Sequence, residues 1–232
     1  MSPSTGDSSN KAALFDNLAL DYDNWFEQEG KLIFAIEVRA FQEVLNSLPK
    51  PWLEVGVGSG RFAQALGIKT GIDPSARLLE LASKREVEVV LGRGEQRHFQ
   101  PGSFGSVYLI VTLCFVDSPS KVLQEVYRIL APGGKIVLGL VLKDSPWGKF
   151  YEEKSRQGHR FYKYATFYKY NEVVTLLEES GFSIQKTIST LFQKPDKVEH
   201  LELPQKGLAP DAGFTVIVAE KQGQSGRSTR ER

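Results

Sequence analysis

Three glycines alternate in Leu53-Glu54-Val55-Gly56-Val57-Gly58-Ser59-Gly60-Arg61-Phe62, where an apolar run meets a helical pattern. Alternating glycines let the backbone turn tightly and approach a ligand closely, and the amides opening the next helix then face that ligand. Spacing decides between nucleotides. A dinucleotide fingerprint places its last glycine three residues after the second. That position is Arg61, and Gly60 comes early. A phosphate loop is excluded because no Gly-Lys-Ser/Thr follows. The segment therefore fits a nucleoside without a pyrophosphate; a plain strand-to-helix turn would not need three glycines. Asp73, in Gly71-Ile72-Asp73-Pro74, ends the next apolar run. A carboxylate there can accept hydrogen bonds from both ribose hydroxyls. Its alternative task is to cap the following helix, for which Ser75 is better placed.

Other reactive groups are few. The chain has three histidines, His98, His159 and His200, and one cysteine, Cys114. A single cysteine excludes an intrachain disulfide and a thiolate zinc cluster. No carboxylate cluster follows the fourth apolar run, so no metal site is expected. His98 and His200 lie in polar loops and read as surface or structural residues. His159, in Gly158-His159-Arg160-Phe161-Tyr162-Lys163-Tyr164, is a candidate base at neutral pH, with a hydrogen-bonding role as the competing reading. Asp21-Tyr22-Asp23-Asn24-Trp25-Phe26 could bring Tyr22 to a cationic ligand, or form an amphipathic capping helix.

These groups need a scaffold. The 232 residues are 41% hydrophobic, 11% aromatic and 25% charged, the composition of one globular domain. Strands are expected over 51–56, 68–72, 87–91, 106–113 and 135–142, with helices over 62–66, 75–84 and 120–130 between them. Near-continuous apolar runs such as 106–113 suit strands buried on both faces, and their alternation with helices implies a parallel sheet. Pro132-Gly133-Gly134 stops one helix, and Gly181 stops another over 171–180. Residues 183–192 and 214–221 read as a late antiparallel pair joined by a loop, 193–213. Residues 1–10 and 222–232 read as disordered tails, leaving one domain over 11–221.

Glu54-x-Gly56-x-Gly58-x-Gly60, Asp73, Gly94-Glu95, Leu130-Ala131-Pro132-Gly133-Gly134-Lys135 and Leu176-x4-Gly181-Phe182 stand in order along the chain. Together they resemble the class I S-adenosylmethionine-dependent methyltransferases, and within them the ubiquinone/menaquinone-type small-molecule enzymes. The likeness covers roughly residues 20–221. It implies an α/β fold: a Rossmann-like, doubly wound, seven-stranded, mostly parallel sheet with an antiparallel edge strand. It implies S-adenosylmethionine as the cofactor and S-adenosylhomocysteine as its product. Glu54 would orient the methionine amino end through the loop, and the Gly56, Val57, Gly58 and Gly60 backbone would pass under the methionine portion. Asp73 would hold the ribose, Gly94 and Glu95 would flank the adenine, and Pro74 and Leu78 would wall it. Thr112, Leu113 and Phe115 would stand beside the methyl group, and Tyr22 would fold over the cofactor. Arg93 departs from the family, where an acidic residue often precedes the glycine at this place.

The expected reaction is methyl transfer to a small-molecule acceptor by in-line displacement, with Tyr22 and His159 as candidate catalytic residues. Residues 146–170, rich in Trp, Phe, Tyr, Lys and Arg, are expected to form a lid over the substrate; a dimer surface using Trp147, Phe150 and Tyr151 is the alternative. Lys149, Lys154, Arg156, Arg160 and Lys163 point either to an anionic substrate or to a solvated face. The 29 basic and 28 acidic residues leave a charge of +1, which argues against a nucleic-acid substrate. No apolar run reaches the roughly 20 residues of a membrane span. The amino-terminal residues lack the charged-then-apolar start of a secretion signal, so the expected location is cytoplasmic. RNA or protein methylation, and cofactor binding without turnover, are the rival functions.

Overall fold

The computed structural model describes residues 6–223, with side chains from residue 11. Three helices come first: α1 (Gly6–Asn17), α2 (Ala19–Trp25) and α3 (Lys31–Leu45). The expected tail over 1–10 is corrected in part, because α1 starts at Gly6; residues 1–5 and 224–232 lie outside the described residues. In α3 the buried Ile33, Ile36, Ala40, Phe41 and Val44 recur at helical spacing.

The alternating region follows. It runs β1 (Trp52–Val55), α4 (Arg61–Leu66), β2 (Thr70–Asp73), α5 (Ala76–Lys84), β3 (Glu88–Leu91), β4 (Phe104–Ile110), α6 (Pro119–Ile129) and β5 (Leu130–Leu140). After it come α7 (Pro146–Arg156), a 3-10 turn (Tyr162–Tyr164), α8 (Tyr170–Glu179), β6 (Phe182–Thr190), β7 (Gln205–Lys206) and β8 (Phe214–Lys221). The strand order is β3-β2-β1-β4-β5-β8-β6-β7. β1 to β5 are mutually parallel, and β8, β6 and β7 run antiparallel. The expected mixed sheet is therefore present, with one addition: the 193–213 loop contributes an eighth strand of two exposed residues.

All seven residues of β4 are buried, because apolar clusters pack on both sheet faces. One cluster includes Phe41, Phe62, Tyr108 and Phe214; the other includes Leu53, Val107, Leu123 and Ile136. β4 ends earlier than expected, because Val111 turns out of the strand with φ 50°. The strand order reverses between β1 and β4, and the crevice beyond the carboxyl ends of such strands is where open α/β sheets take ligands.

Candidate active site

The glycine loop leaves β1 with Gly56, Gly58 and Gly60 at φ 73°, 53° and 80°. A Cβ on Gly56 would stand 2.4 Å from the Thr112 side chain, and one on Gly60 would stand 2.9 Å from the Ala82 backbone. The loop is tied to β2 at each step. Gly56 and Val57 donate to the Ile72 carbonyl at 2.8 and 3.1 Å. Gly58 donates to Asp73 Oδ2 at 2.9 Å, and Ser75 donates its amide to Oδ1 at 2.8 Å. Ser75 also caps α5, its Oγ accepting from the Leu78 amide. Asp73 is thus free of capping duty beyond the Ser75 amide. A carboxylate has about four acceptor positions, so two remain for a ligand. Burial lifts the Asp73 pKa to about 6 against the pull of the two amides, which leaves it ionised at neutral pH.

A cavity of about 610 Å³ opens over this loop, within the usual range for a small-molecule site. Gly56, Gly58, Asp73, Pro74 and Leu78 line one end. Gly94 and Glu95 come from beyond β3, and Thr112 and Phe115 from beyond β4. Tyr22 and His159 line it from the roof. Four expected residues do not line it. Glu54 is buried beneath the loop, opposite Tyr108 in register, so it reaches a ligand only through the loop. Burial, and secondarily the charge of Asp73, holds its carboxyl far above the usual range, and its Oε2 has no hydrogen-bond partner. Val57 turns inward and fills the space beside Gly71. Gly60 serves close packing against α5. Leu113 belongs to the core on one sheet face.

The roof is built from the first two helices and the 146–170 segment. Ser75 Oγ donates to Asp16 at 2.6 Å, docking α1 on the start of α5. Asp23 on α2 is bound by Arg61 and Arg85. Arg160 pairs with Asp21 at 2.7 Å, closing the lid onto α2. Phe15 sits at the join, with its ring 5.9 Å from Tyr22, 5.5 Å from Phe115 and 5.5 Å from Phe161. Tyr22 lies over the glycine loop, its hydroxyl 3.5 Å from where a Gly58 Cβ would be. Burial raises its pKa, so the hydroxyl stays protonated.

Arg93 has a structural task. It pairs with Asp117 and stands 3.6 Å from Glu95, while Lys11 reaches Asp117 at 3.0 Å. The loops after β3 and β4 are thereby stitched to α1, and Arg93 is drawn into that network.

His159 stacks on Tyr162 at 4.6 Å, and its Nδ1 accepts from the Phe161 amide. That bond leaves the neutral ring's proton on Nε2, a donor and not a base. Burial, with Lys154 and Arg160 nearby, lowers its pKa, so the ring is neutral. Cys114 also lines the cavity, but burial lifts its thiol to about 12, too high for a thiolate nucleophile.

The lid's aromatic residues face inward. Trp147 is fully buried and donates Nε1 to the Gln193 carbonyl, and Tyr151 is buried in the cavity wall. Of the three residues of the alternative dimer surface, Trp147 and Tyr151 are buried within the chain and Phe150 is partly exposed. The lid cations have partners too. Lys154 lies over Phe150, Lys163 over Tyr164, and Arg156 pairs with Glu153. Sequence reasoning missed two acidic side chains of the cavity wall, the exposed Glu29 and Glu37 on the buried face of α3. The signal for Glu37 is a carboxylate inside an otherwise apolar helical stripe, legible only once that stripe is known to face inward.

Among solved structures, a Thermotoga maritima crystal structure covers 91% of this chain and all of its own, with 34% identity and a TM-score of 0.85. That protein is described as a SAM-dependent methyltransferase and possible histamine N-methyltransferase. The chain belongs to the SAM-dependent methyltransferases. A family model described as a methyltransferase domain matches residues 53–138, the span from β1 to near the end of β5. An uncharacterized protein of Methanocaldococcus jannaschii is 39% identical over 209 residues, covering 90% of this chain and 98% of its own. A demethylmenaquinone methyltransferase of Thermotoga maritima is 28% identical over 137 residues, 54% of this chain and 58% of its own.

The site fits the family's nucleoside cofactor on its own chemistry. Asp73 offers spare acceptors to a diol. The loop offers no cation to a pyrophosphate, because Arg61 is taken up by Asp23 and Glu27. Among the described residues no group of three His, Cys, Asp or Glu side chains is placed to hold a metal, and no helix is long and apolar enough to cross a membrane.

Proposed function

We propose that this methyltransferase carries the methyl group of S-adenosylmethionine to a small-molecule acceptor held under its aromatic roof, by in-line displacement. The observation that carries this reading is that one cavity is lined by two kinds of surface, which meet where Tyr22 lies over Gly58. One is polar and backbone-lined, around Asp73 and Gly58. The other is formed by Phe15, Tyr22, Tyr151, Phe161 and Tyr162.

Asp73 would hold the two ribose hydroxyls, and Gly56 and Gly58 would lie under the methionine portion. Pro74 and Leu78 would flank the adenine on one side, with Gly94 and Glu95 on the other. Thr112 and Phe115 would border the reacting carbon. The cofactor, when bound, supplies an electrophilic methyl on a cationic sulfur. Tyr22 would present ring and hydroxyl toward that positive charge. The roof would exclude water and fix the acceptor, and positioning alone can supply several kcal/mol of a displacement barrier. His159 would orient the lid and the acceptor as a donor.

The size of the cavity favours a small acceptor over a macromolecular one, and the +1 net charge gives no pull on nucleic acid. Methyl-labelled cofactor, incubated with the protein and pools of amines, phenols, thiols, RNA and protein, tests this. Label is expected in a small-molecule pool. Label in RNA or protein alone would overturn the proposal.

A further inference from the structure

Glu37 stands out because nothing around it pays for its burial. The side chain is 7% exposed, lines the cavity, and comes from a helix face otherwise made of Ile33, Ile36, Ala40, Phe41 and Val44. Among the described residues it has no hydrogen bond and no ion pair. A purely structural carboxylate at such a depth is normally matched by donors, because an unpaired buried charge is costly. The nearby lid cations are engaged elsewhere, Lys154 over Phe150 and Arg160 with Asp21.

Three tyrosines from three separate elements line the same cavity: Tyr22 on α2, Tyr151 on α7 and Tyr162 in the 3-10 turn. The Tyr151 and Tyr162 rings lie 4.3 Å apart. A carboxylate among aromatic rings in a cavity wall is the chemistry that recognises an organic ammonium.

We infer that the roof end of the cavity is an amine subsite, in which Glu37 holds the acceptor's ammonium group among Tyr22, Tyr151 and Tyr162 and takes its proton. This rests on the methyl-transfer reading above and narrows it to nitrogen. The proton moves to a Glu37 oxygen, and the N–H electron pair becomes the nitrogen lone pair. That lone pair forms the new carbon–nitrogen bond as the carbon–sulfur bond breaks, its electrons staying on sulfur as a neutral thioether. Empty, the Glu37 carboxyl is pushed by burial to about 8, so it is largely protonated at pH 7 and an arriving ammonium ionises it. The titratable and charged groups lining the cavity beside it are the three tyrosines, Cys114, Glu29 and, from the lid, Lys154, His159 and Arg160. Burial keeps all three tyrosine hydroxyls protonated there.

The test is calorimetry on the full chain, wild type and Glu37→Gln, with S-adenosylhomocysteine present. The probes are arylalkylamines, such as phenethylamine, each paired with its isosteric alcohol. The wild type is expected to bind at least one amine about tenfold or more tighter than its alcohol. At pH 7, titrations in buffers of different ionisation enthalpy are expected to show release of a proton. Glu37→Gln is expected to lose the amine preference and the proton release while binding S-adenosylhomocysteine unchanged. No amine preference in the wild type, or one that survives in Glu37→Gln, would overturn the inference. Loss of S-adenosylhomocysteine binding in Glu37→Gln would do so too, by assigning Glu37 to the cofactor. Failure of the wild type to bind S-adenosylhomocysteine would instead sink the methyl-transfer reading, and this inference with it.

Discussion

Asp23 on α2 receives both arms of the Arg61 guanidinium, Nε at 2.9 Å and Nη2 at 2.8 Å, and a third bond from Arg85 at 2.8 Å. Arg61 opens α4 and Arg85 ends α5, so one carboxylate fastens the roof to both helices that flank the glycine loop. The arginine that spoils a dinucleotide fingerprint is the residue that holds the roof shut.

Removing Asp23 should therefore loosen the roof before it harms the sheet. Asp23→Ala should cost about 2–3 kcal/mol in urea unfolding, below the range for a fully buried pair because water reaches the cluster edge. Burial opposes ionisation of Asp23, but the hydrogen bonds it accepts, Arg61 foremost, outweigh this and hold its pKa at about 2. That contribution is present above the unfolded value near 4 and is lost as pH falls through about 2. An Asp23→Ala chain as stable as wild type at pH 7 would contradict this.

The glycines should separate by role. Gly60→Ala forces a left-handed residue against the Ala82 backbone and should cost about 3 kcal/mol or more of stability. Gly58→Ala places its Cβ 3.5 Å from Tyr22, an ordinary contact, so its cost should be only the left-handed penalty of about 1–2 kcal/mol. Its larger effect should be on cofactor affinity. Paired thermal melts and titrations of the two variants check this.

Much of this was legible in the sequence. β1, β2, β4 and β5 could be read because buried strands are nearly continuous in apolar residues, and the exposed edge strand β3 because its short Val89-Val90-Leu91 run is still apolar. Ser75 and Gly181 marked a helix start and stop through chemistry that few other residues supply. β7 had no such mark, since two exposed residues pair only by backbone. Asp23 and Asp117, which bind Arg61 and Arg93, lie 38 and 24 residues away, beyond any local pattern. Glu37 was missed because a lone carboxylate in a helix reads as surface until the helix's buried face is known.

Empty Glu37 should also tell on stability. Its pKa is raised by burial, so the folded chain favours the protonated form. The penalty is absent below the unfolded value near 4.5 and grows as pH rises toward the folded value of about 8. Glu37→Gln should thus melt much like wild type at pH 4 and be more stable by on the order of 4 kcal/mol at pH 8.5. Equal melting at both pH values would contradict a buried, unpaired carboxyl.

Asp73 predicts the pH response of cofactor binding. With its pKa at about 6, affinity should be flat above pH 7 and fall as pH drops through 6, by about tenfold at pH 5. Asp73→Asn should bind weakly with no such slope.

The most direct measurement is calorimetric titration of the full chain with S-adenosylmethionine, S-adenosylhomocysteine and NADH, repeated on Asp73→Ala. Micromolar binding of both sulfur nucleosides, weakened about a hundredfold by the substitution and absent for NADH, is the expected result. Binding of NADH, or sulfur-nucleoside affinity that survives the loss of Asp73, would contradict the assignment of this loop and carboxylate to the cofactor.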